Sequence, residues 1–450
     1  MVDAGIQDPR ASESGMTSAI PPGPRRAGRL HGFAFAVDSR RVAQRMRERH
    51  GPAFTLHVPV WGPTVFLSDP TTVKQLFTGG TDLVGVMESN LSRVVGPSSF
   101  FSLDGDEHKR QRKLLLPPFH GRRMQSYEGI IEEETRRETA QWPEGEPFPT
   151  LASMKRITLN AILRAVFGAQ GEELAMLRDL LPPMVGLGLR LSILPGPEID
   201  LGRFSPWGRF LGYRRRFDAI VDRLIAATQA DPDLDERDDI LALMLQARFD
   251  DGSAMPPRAV ADQLLTLLAA GHETTATTLA WAIERLRRHP RILARVVAEA
   301  DEGGSLLRKA AIMEVQRTRP VVAFVGRTVT GESLVLGRWV LPRGYNVMVA
   351  ISLLHADDSV FPNALMFDPD RFVEAKPDTY AWIPFGGGAR RCIGAAFATM
   401  EMDTVLRTLL HDFHFTATDE PDEFGRPRDV VSAPDRGGLA VVRRRTQRAR

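Results

Sequence analysis

A single cysteine in a glycine-rich loop is the residue of this sequence best placed to do chemistry. The 450-residue chain has one cysteine, Cys392, in segment 384–394, where three glycines follow one another. Successive glycines allow positive φ angles and a close approach of the backbone to a flat ligand. A helix is predicted from Ile393, so unpaired amides and the helix dipole favour a thiolate at Cys392. Arg390 and Arg391 add positive charge at the same place.

A thiolate of this kind can serve as a nucleophile, a zinc ligand or an iron ligand, whereas an unactivated thiol would be an inert buried side chain. A zinc site is disfavoured because the sequence has no second cysteine and the loop has no nearby histidine. A nucleophile that pairs with a histidine elsewhere in the chain stays open at this point.

A polar break in a long apolar helix is the second feature. Residues 264–270 are apolar, and residues 271–275 then read Gly-His-Glu-Thr-Thr, which is unfavourable in a helix that serves stability alone. Back-bonding threonines or a solvated helix face would explain the break without a function, although the apolar flanks disfavour a solvated face. A zinc-protease helix is excluded, because its second histidine would fall at Ala276.

Five residue identities at fixed spacing relate the loop to a known family. The pattern Phe-x-x-Gly-x-Arg-x-Cys-x-Gly resembles the haem-binding signature of the cytochromes P450. The resemblance implies haem b (iron protoporphyrin IX) as cofactor, with the sulfur of Cys392 as the metal ligand and loop amides that donate hydrogen bonds to it. Thiolate ligation of this kind favours O–O cleavage. The loop residues that the resemblance assigns to the cofactor are Phe385, Gly386, Gly388, Arg390, Cys392 and Gly394.

The polar break is similar to the distal, oxygen-activating helix of the same family. The resemblance implies that Gly271, next to Ala270, lets this helix pass close over the haem and opens a groove for dioxygen. It assigns catalytic roles to Thr274, which would hydrogen-bond the oxygen species on the iron, and to Glu273, which would relay protons from solvent. His272 is expected to be a structural or surface residue.

Charged residues outside the loop and the distal helix extend the resemblance. Glu314 and Arg317 are expected to form a buried triad with Arg371; their spacing alone is common in helices, but their position before the cysteine loop is similar to that of the family. Two haem propionates in a poorly hydrated site require several cations. The predicted propionate partners are His108, Arg112, Arg327 and Arg390.

These residues must be positioned by a mainly α-helical fold with a minor β-sheet region. We predict one helix-rich P450-type domain at 29–442, a flexible lead with a Pro-rich hinge at 1–28 and a basic tail at 443–450. The longest helix, 257–289, carries the polar break and would be roughly 45–50 Å long. Further helices are predicted at 125–141, 151–167, 208–229 and 238–247, and strands at 53–60, 65–67, 335–340 and 347–351.

The composition disfavours several function classes. Hydrophobic residues make up 43% and charged residues 25% of the chain, which is ordinary for a globular protein. A net charge of +2 without a concentrated basic region disfavours nucleic-acid binding. We expect no signal peptide and no transmembrane segment, and the single cysteine fits a reducing compartment. The expectation is therefore a monomer in the cytoplasm.

The resemblance implies a monooxygenase that inserts one atom of O2 into a hydrophobic small molecule and releases the other as water. Electrons would come from separate partners, a ferredoxin and a ferredoxin reductase or equivalent donors, because no redox module fits in the chain. A basic patch near Cys392 is the predicted docking site, unless its members are scattered solvated side chains. The members of this patch are Arg110, Arg112, Lys113, Arg122, Arg123 and Arg391.

The predicted substrate pocket is hydrophobic, with walls formed by segments 84–101 and 181–210, the distal helix and Val322, Phe324 and Val325. The apolar character of segment 181–210 favours either a hydrophobic substrate or contact with a membrane surface. Two other function classes stay open. A haem-thiolate sensor or carrier is disfavoured by the presence of Glu273 and Thr274. A helical hydrolase without haem would use Cys392 as its nucleophile, and a colourless protein without a Soret band would favour it.

Overall fold

The computed structural model describes residues 20–24, 28–59, 61–79, 82–87, 91–119, 121, 123–168, 171–193, 197–428 and 431–446. Most of the predicted lead at 1–28 and half of the predicted tail at 443–450 therefore lie outside the described residues. The fold is mainly α-helical with small β-sheets, which confirms the predicted fold class.

Apart from one two-residue strand, the described strands lie before residue 86 or after residue 323, and the chain between these positions is mainly helical. The helices are α1 (Gly28–Val37), α2 (Ser39–His50), α3 (Pro70–Thr78), α4 (Leu91–Val95), α5 (Gly105–Leu115), α6 (Arg123–Thr139), α7 (Leu151–Phe167), α8 (Glu172–Ile193), α9 (Pro206–Gln229), α10 (Ile240–Gln246), α11 (Pro257–Arg288), α12 (Pro290–Asp301), α13 (Leu306–Thr318), α14 (Ile351–Leu354), α15 (Asp370–Glu374) and α16 (Ala395–Asp412). The strands are β1 (Ala53–Val58), β2 (Gly62–Leu67), β3 (Val84–Gly85), β4 (Phe148–Pro149), β5 (Phe324–Val329), β6 (Ser333–Leu336), β7 (Trp339–Pro342), β8 (Asn346–Ala350), β9 (Phe413–Phe415), β10 (Gly425–Arg428), β11 (Val431–Pro434), β12 (Leu439–Ala440) and β13 (Val442–Arg444).

The first of two compact units is built around a five-stranded sheet. It draws on Met1–Met87 and Gly326–Val349, and its strand order is β1-β2-β8-β5-β3. Strands β1 and β2 are antiparallel neighbours, and β8 returns from far along the chain to pair in parallel with β2. Buried Phe54 and Phe66 stack beneath this sheet with ring centroids 5.1 Å apart. Early and late strands therefore pair within one sheet, a pairing that the sequence alone leaves open.

One predicted strand in this unit is wrong. Segment 335–340 was expected to be a single strand, but the structure divides it between β6 and β7, which form an antiparallel hairpin. Gly337 at the turn has φ = 58°, a left-handed conformation that glycine adopts without steric cost. The apolar run conceals this turn because its other residues suit a strand.

The second unit is helical and is organised around α11. It comprises Glu88–Val325 and Ala350–Arg450. Helix α11 has 32 residues with Pro257 at its start and His289 as its C-cap, so it is about 48 Å long at 1.5 Å per residue. It packs along α7 and also contacts α9, α13 and α16. A helix packed on several sides must be apolar on several faces, and Leu264 and Leu279 are fully buried here.

Helix α8 is absent from the sequence-based predictions, and the pocket wall expected at 181–210 stays a prediction. Pro182 and Pro183 lie inside it, and each proline removes an amide donor, so the pattern gives no clear helix. Packing against α4 and α9 retains the helix. Leu181 and Met184 are buried in the main core, so these two residues stabilise the fold instead of facing an open cavity.

The predicted triad around Glu314 forms in the second unit. Arg317 donates to both carboxylate oxygens of Glu314, each at 2.7 Å, and both side chains are fully buried. The Nη1 atom of Arg317 donates to the backbone oxygens of His355 and Ala364, each at 2.7 Å. Arg371 approaches Glu314 less closely, at 3.4 Å. Arg317 therefore ties α13 to the segment that precedes α15.

Replacing Arg317 by alanine is expected to abolish haem incorporation. The change leaves the Glu314 carboxylate buried without its main partner and frees the backbone oxygens of His355, Ala364 and Met366, which costs about 3–5 kcal/mol. The yield of folded protein and its haem content are the measurements. Arg371→Ala is the matched control and should have a smaller effect, because Arg371 is more distant and more exposed. Normal haem content in Arg317→Ala would contradict the assignment of this cluster.

Candidate active site

The loop that carries Cys392 is closed on itself by backbone hydrogen bonds. The amide of Cys392 donates to the oxygen of Phe385 at 2.9 Å. Gly386 and Gly388 have φ angles of 67° and 66°, and only glycine adopts this left-handed conformation readily. Helix α16 begins at Ala395, two residues later than predicted, with Gly394 as its N-cap. The glycines thus allow a tight turn that places Cys392 just before the first residue of α16.

Cys392 is exposed as a residue, yet enough protein surrounds its sulfur that burial raises the pKa of the thiol. These two facts describe a sulfur in a recess. The Gly394 amide, Arg112 and Arg391 act in the opposite direction but do not outweigh burial. The expectation that the loop alone favours a thiolate is therefore wrong, and Arg112 takes the electrostatic role expected of Arg390. A cation bound to the sulfur would offset this cost, as metal ions do for thiolate ligands.

Two of the predicted propionate partners lie together on α5. His108 is buried beside the ring of Phe100, with ring centroids 4.4 Å apart. Arg112 is one helical turn further along, and its Nη1 atom is buried without a hydrogen-bond partner among the described residues. A buried guanidinium nitrogen without an acceptor is costly, so the position calls for an anion. A haem propionate supplies such a carboxylate, and the residues present fit the group.

The other two predicted propionate partners have different surroundings. Arg390 donates to the backbone oxygen of Leu103 and to the carboxylate of Asp104, the latter at 2.8 Å. It therefore holds the cysteine loop against the N-terminus of α5, where Asp104 is the N-cap. Arg327 belongs to the first unit, on β5, with its guanidinium 5.9 Å from the ring centroid of Phe77. A propionate contact by Arg327 stays a prediction.

The polar break of α11 presents one partly exposed face. Thr274 and Thr275 both donate back to backbone oxygens one turn earlier, at 2.9 and 3.1 Å, so back-bonding explains their tolerance in a helix. Exposure nevertheless separates them, because Thr275 is buried and Thr274 is not. Spacings of three and four residues place side chains on one helix face. The partly exposed residues with this spacing are Leu267, Ala270, Gly271 and Thr274.

Glu273 points away from that face, toward α7. It is buried, and its carboxylate accepts a hydrogen bond from the Nζ atom of Lys155. His272 is buried as well, with its Nδ1 atom 2.7 Å from the oxygen of Leu268, which confirms the expected structural role. Sequence reasoning missed Lys155, although a lysine that shares a face of an apolar helix with Thr158 is a signal of a buried polar contact.

Glu401 is a second residue that sequence reasoning missed. It lies on α16, is 1% exposed, and has no hydrogen-bond partner of good geometry for either carboxylate oxygen among the described residues. Burial raises the pKa of this carboxyl well above its ordinary value, and the nearby Thr275 hydroxyl opposes that shift only in part. A carboxyl group whose protonated form is favoured by burial therefore lies between α16 and the polar break of α11.

Comparison with known proteins gives one consistent result. A family model described as "Cytochrome P450" matches residues 21–441. Cytochrome P450 138 of Mycobacterium tuberculosis is 53% identical over 426 residues, which cover 95% of this chain and 97% of that protein. Cytochrome P450 135B1 of Mycobacterium bovis is 39% identical over 441 residues, which cover 96% of this chain and 93% of that protein.

Solved structures share the fold at lower sequence identity. The cyanobacterial CYP120A1 with bound retinoic acid superposes with a TM-score of 0.81 at 23% identity, covering 95% of this chain and all of the other. The haem domain of cytochrome P450DA superposes with the same TM-score and identity, and the superposition covers 98% of that chain.

Among the described helices, none combines the length and the apolar character needed to cross a membrane.

Glu401→Gln is expected to gain stability relative to the native protein as the pH rises from about 5 to about 8. In the unfolded chain this carboxyl ionises above its ordinary pKa of 4.5, whereas in the folded protein burial raises its pKa and favours the protonated form. The native protein therefore loses stability as pH rises above that value, and an uncharged glutamine removes the loss. Urea unfolding between about pH 5 and pH 8 measures the free energy of unfolding of both proteins as a function of pH.

In that experiment the variant should gain stability over the native protein as the pH rises. Glu374→Gln, at an exposed position on α15, is the matched control and should leave the pH dependence unchanged. Parallel pH curves for Glu401→Gln and the native protein would contradict a protonated, buried Glu401.

Proposed function

Because this chain belongs to the cytochrome P450 family of haem-thiolate monooxygenases, we propose that it inserts one atom of dioxygen into a hydrophobic organic substrate with electrons from separate redox partners. One observation carries the proposal. The Nη1 atom of Arg112 is buried without an acceptor among the described residues, and Arg112 lies close enough to Cys392 for each group to perturb the pKa of the other. That pair suits the two ends of one ligand, a metal that binds the sulfur and a carboxylate that binds the cation.

Members of this family bind haem b, and when bound it supplies the redox chemistry that activates dioxygen. In this chain Cys392 would hold the iron and the closed loop would fix the direction of the sulfur. His108 and Arg112 would hold propionates. Arg390 would contribute mainly by locking the loop to Asp104. The glycines of the loop would allow the backbone to lie flat against the cofactor.

Thr274 and Glu273 are proposed to manage protons on the distal side. The Thr274 hydroxyl lies on the partly exposed face of α11 and donates to Ala270, so a rotation about its Cα–Cβ bond would turn that donor into the site. Glu273 is its neighbour along the helix and is buried. A carboxyl group in this position can take a proton from one side and give it up on the other.

The substrate is proposed to be hydrophobic because the segment at 96–103, which carries two phenylalanines, is held in place on α11. The amide of Phe100 donates to the side chain of Gln263 at 3.0 Å, and Ser99 bonds Thr266 at 2.7 Å. These contacts fix the segment on α11 within about one turn of Leu267, where the partly exposed stripe begins. Rigid apolar walls with few polar groups favour apolar ligands.

The predicted basic patch for a ferredoxin is smaller than the sequence suggests. Arg110 and Lys113 are paired with Asp251 and Asp250 at 2.6 and 2.7 Å, and Arg112 is turned inward. Arg122, and the side chain of Arg123, lie outside the described residues. The exposed Arg391, beside the cysteine loop, stays in the patch. We propose that electron donors dock near it; a monomer in the cytoplasm stays a prediction from the sequence.

The experiment that tests the function uses labelled dioxygen. Hydrophobic compounds are screened for binding by their shift of the Soret band, and a compound that binds is incubated with a plant-type ferredoxin, its reductase and isotopically labelled O2. One labelled oxygen atom per product molecule is expected. Product per O2 consumed should fall in Thr274→Ala by on the order of a hundredfold, with hydrogen peroxide formed instead.

Thr278→Ala is the matched control, because it removes a hydroxyl that back-bonds in the same way one turn further along. It should leave the yield of product unchanged. A protein that binds haem and accepts electrons but forms no labelled product would support a sensor or carrier. A colourless protein would support a hydrolase that uses Cys392.

A further inference from the structure

A buried histidine lies between the Glu314–Arg317 pair and the loop that carries Cys392. His355 is the C-cap of α14 and is fully buried. Its backbone oxygen accepts a hydrogen bond from the Nη1 atom of Arg317 at 2.7 Å, and its Nε2 atom accepts one from the backbone amide of Ile383 at 3.0 Å. His355 therefore contacts the ion pair through its backbone and the start of the cysteine loop through its side chain.

Ile383 is the residue at which the loop begins to turn. Its amide donates to His355, and its backbone oxygen accepts from the amide of Gly386 at 2.9 Å. Within this turn, the backbone oxygen of Phe385 accepts from the amide of Cys392 at 2.9 Å. Three hydrogen bonds thus connect the imidazole with the backbone of Cys392 over a short stretch of chain.

The bond to Ile383 defines the protonation state of the imidazole. A ring nitrogen that accepts a hydrogen bond carries no hydrogen, so neutral His355 has its hydrogen on Nδ1. Burial, followed by the positive charge of Arg317 on α13, lowers the pKa of His355 to about 3, and the backbone of Arg317 and Gln316 opposes this shift only in part. The remaining ring contact is with the uncharged Phe361, with ring centroids 6.1 Å apart. The imidazole is therefore neutral at neutral pH and can act as an acceptor.

The cysteine loop is held at a second point by a contact of a different kind. Arg390, two residues before Cys392, pairs with Asp104 at 2.8 Å, and 46% of the Asp104 side chain is exposed. Water can replace a partner in such a contact, whereas it does not reach the bond between His355 and Ile383. A buried amide that loses its acceptor is costly, so the His355 bond is the more stringent of the two.

We infer that His355 is a positioning residue that transmits the placement of the Glu314–Arg317 pair to the cysteine loop and so holds the Cys392 sulfur in place as an axial ligand. The inference rests on the proposed function, because it takes Cys392 as the ligand of the haem iron. Without an acceptor at Nε2, the Ile383 amide is buried without a partner. The turn then relaxes, and the loop holds the sulfur less firmly.

The first test measures the loop backbone in the haem-loaded protein. His355→Leu removes the acceptor, whereas His355→Gln supplies an amide oxygen at a similar reach. Hydrogen–deuterium exchange of the peptide that spans residues 381–387, followed by mass spectrometry, should be about tenfold faster in His355→Leu and close to native in His355→Gln. Equal exchange in the native protein and in His355→Leu would overturn the inference.

His289→Leu is the matched control. His289 is also a helix C-cap, its ring lies 4.7 Å from that of Phe367, and its Nδ1 atom lies 2.7 Å from the backbone oxygen of Arg285 in its own helix. It has no printed contact with the cysteine loop, so its replacement should leave the exchange of residues 381–387 unchanged.

The second test follows the sulfur itself. The reduced, carbon-monoxide-bound protein is warmed, and the rate at which its long-wavelength Soret band converts to the ordinary position is recorded. His355→Leu should convert several-fold faster than the native protein, and His355→Gln and His289→Leu should convert at nearly the native rate. If His355→Gln converts as fast as His355→Leu, the acceptor does not hold the loop and the inference is wrong.

A third test compares only the native protein and His355→Gln, so it stands even where the leucine variant does not fold. The unfolded chain binds a proton at His355 below its ordinary pKa of 6.5, whereas the folded protein keeps the ring neutral down to about pH 3. The native protein therefore loses stability as the pH falls from about 6.5 to about 4, and His355→Gln should gain stability relative to it. Urea unfolding of both haem-loaded proteins measures this gain, and parallel pH curves would contradict a neutral His355 acceptor.

Failure of the inference and failure of the proposed function give different results. A native protein without the long-wavelength Soret band would contradict the proposed function, and the role of His355 would fall with it. A native protein that has the band, and whose rate of conversion is unchanged in His355→Leu, would contradict the role of His355 alone.

Discussion

The constraint on which the site depends is the cost of keeping a sulfur and a cation together in a poorly hydrated recess. Burial raises the pKa of the Cys392 thiol and lowers that of Arg112, and each group acts on the other. Without a ligand, the Nη1 atom of Arg112 has no hydrogen-bond acceptor among the described residues. Burial likewise disfavours the thiolate form of Cys392. A ligand that brings both a metal ion and a carboxylate relieves both costs at once. Binding of the cofactor is therefore expected to be coupled to folding and to stabilise the folded chain.

The scaffold keeps this arrangement by pairing buried charges at a distance from the chemistry. Glu314 and Arg317 are fully buried and anchor α13 to three backbone oxygens, and Arg390 locks the cysteine loop to the N-cap of α5. Helix α11 is packed on several sides, yet it keeps a partly exposed stripe that ends at Thr274. Two buried glutamates near the polar break of α11 differ in their surroundings. Glu273 is ion-paired with Lys155, whereas burial raises the pKa of the Glu401 carboxyl and favours its protonated form.

The sequence predicts the parts of the site whose chemistry is local. Cys392, its glycines and the polar break of α11 stand within short segments whose spacing identifies the family, and α7 and α11 follow from apolar periodicity. Partners that come from distant segments escape such reasoning. Arg390 meets Asp104 across 286 residues and Lys155 meets Glu273 across 118, and only helix packing decides these contacts. The same limit explains the misjudged α8, where tertiary contacts override two prolines, and the hairpin of β6 and β7, where one glycine turns an otherwise strand-like run.

The most direct test of the account is the optical spectrum of the reduced, carbon-monoxide-bound protein, recorded for the native chain and for Cys392→Ala and Cys392→His. Thiolate ligation by Cys392 predicts a long-wavelength Soret band in the native protein and its loss in both variants, with haem retained in the histidine variant at the ordinary Soret position. A Cys392→Ala protein that keeps the long-wavelength band would contradict the account.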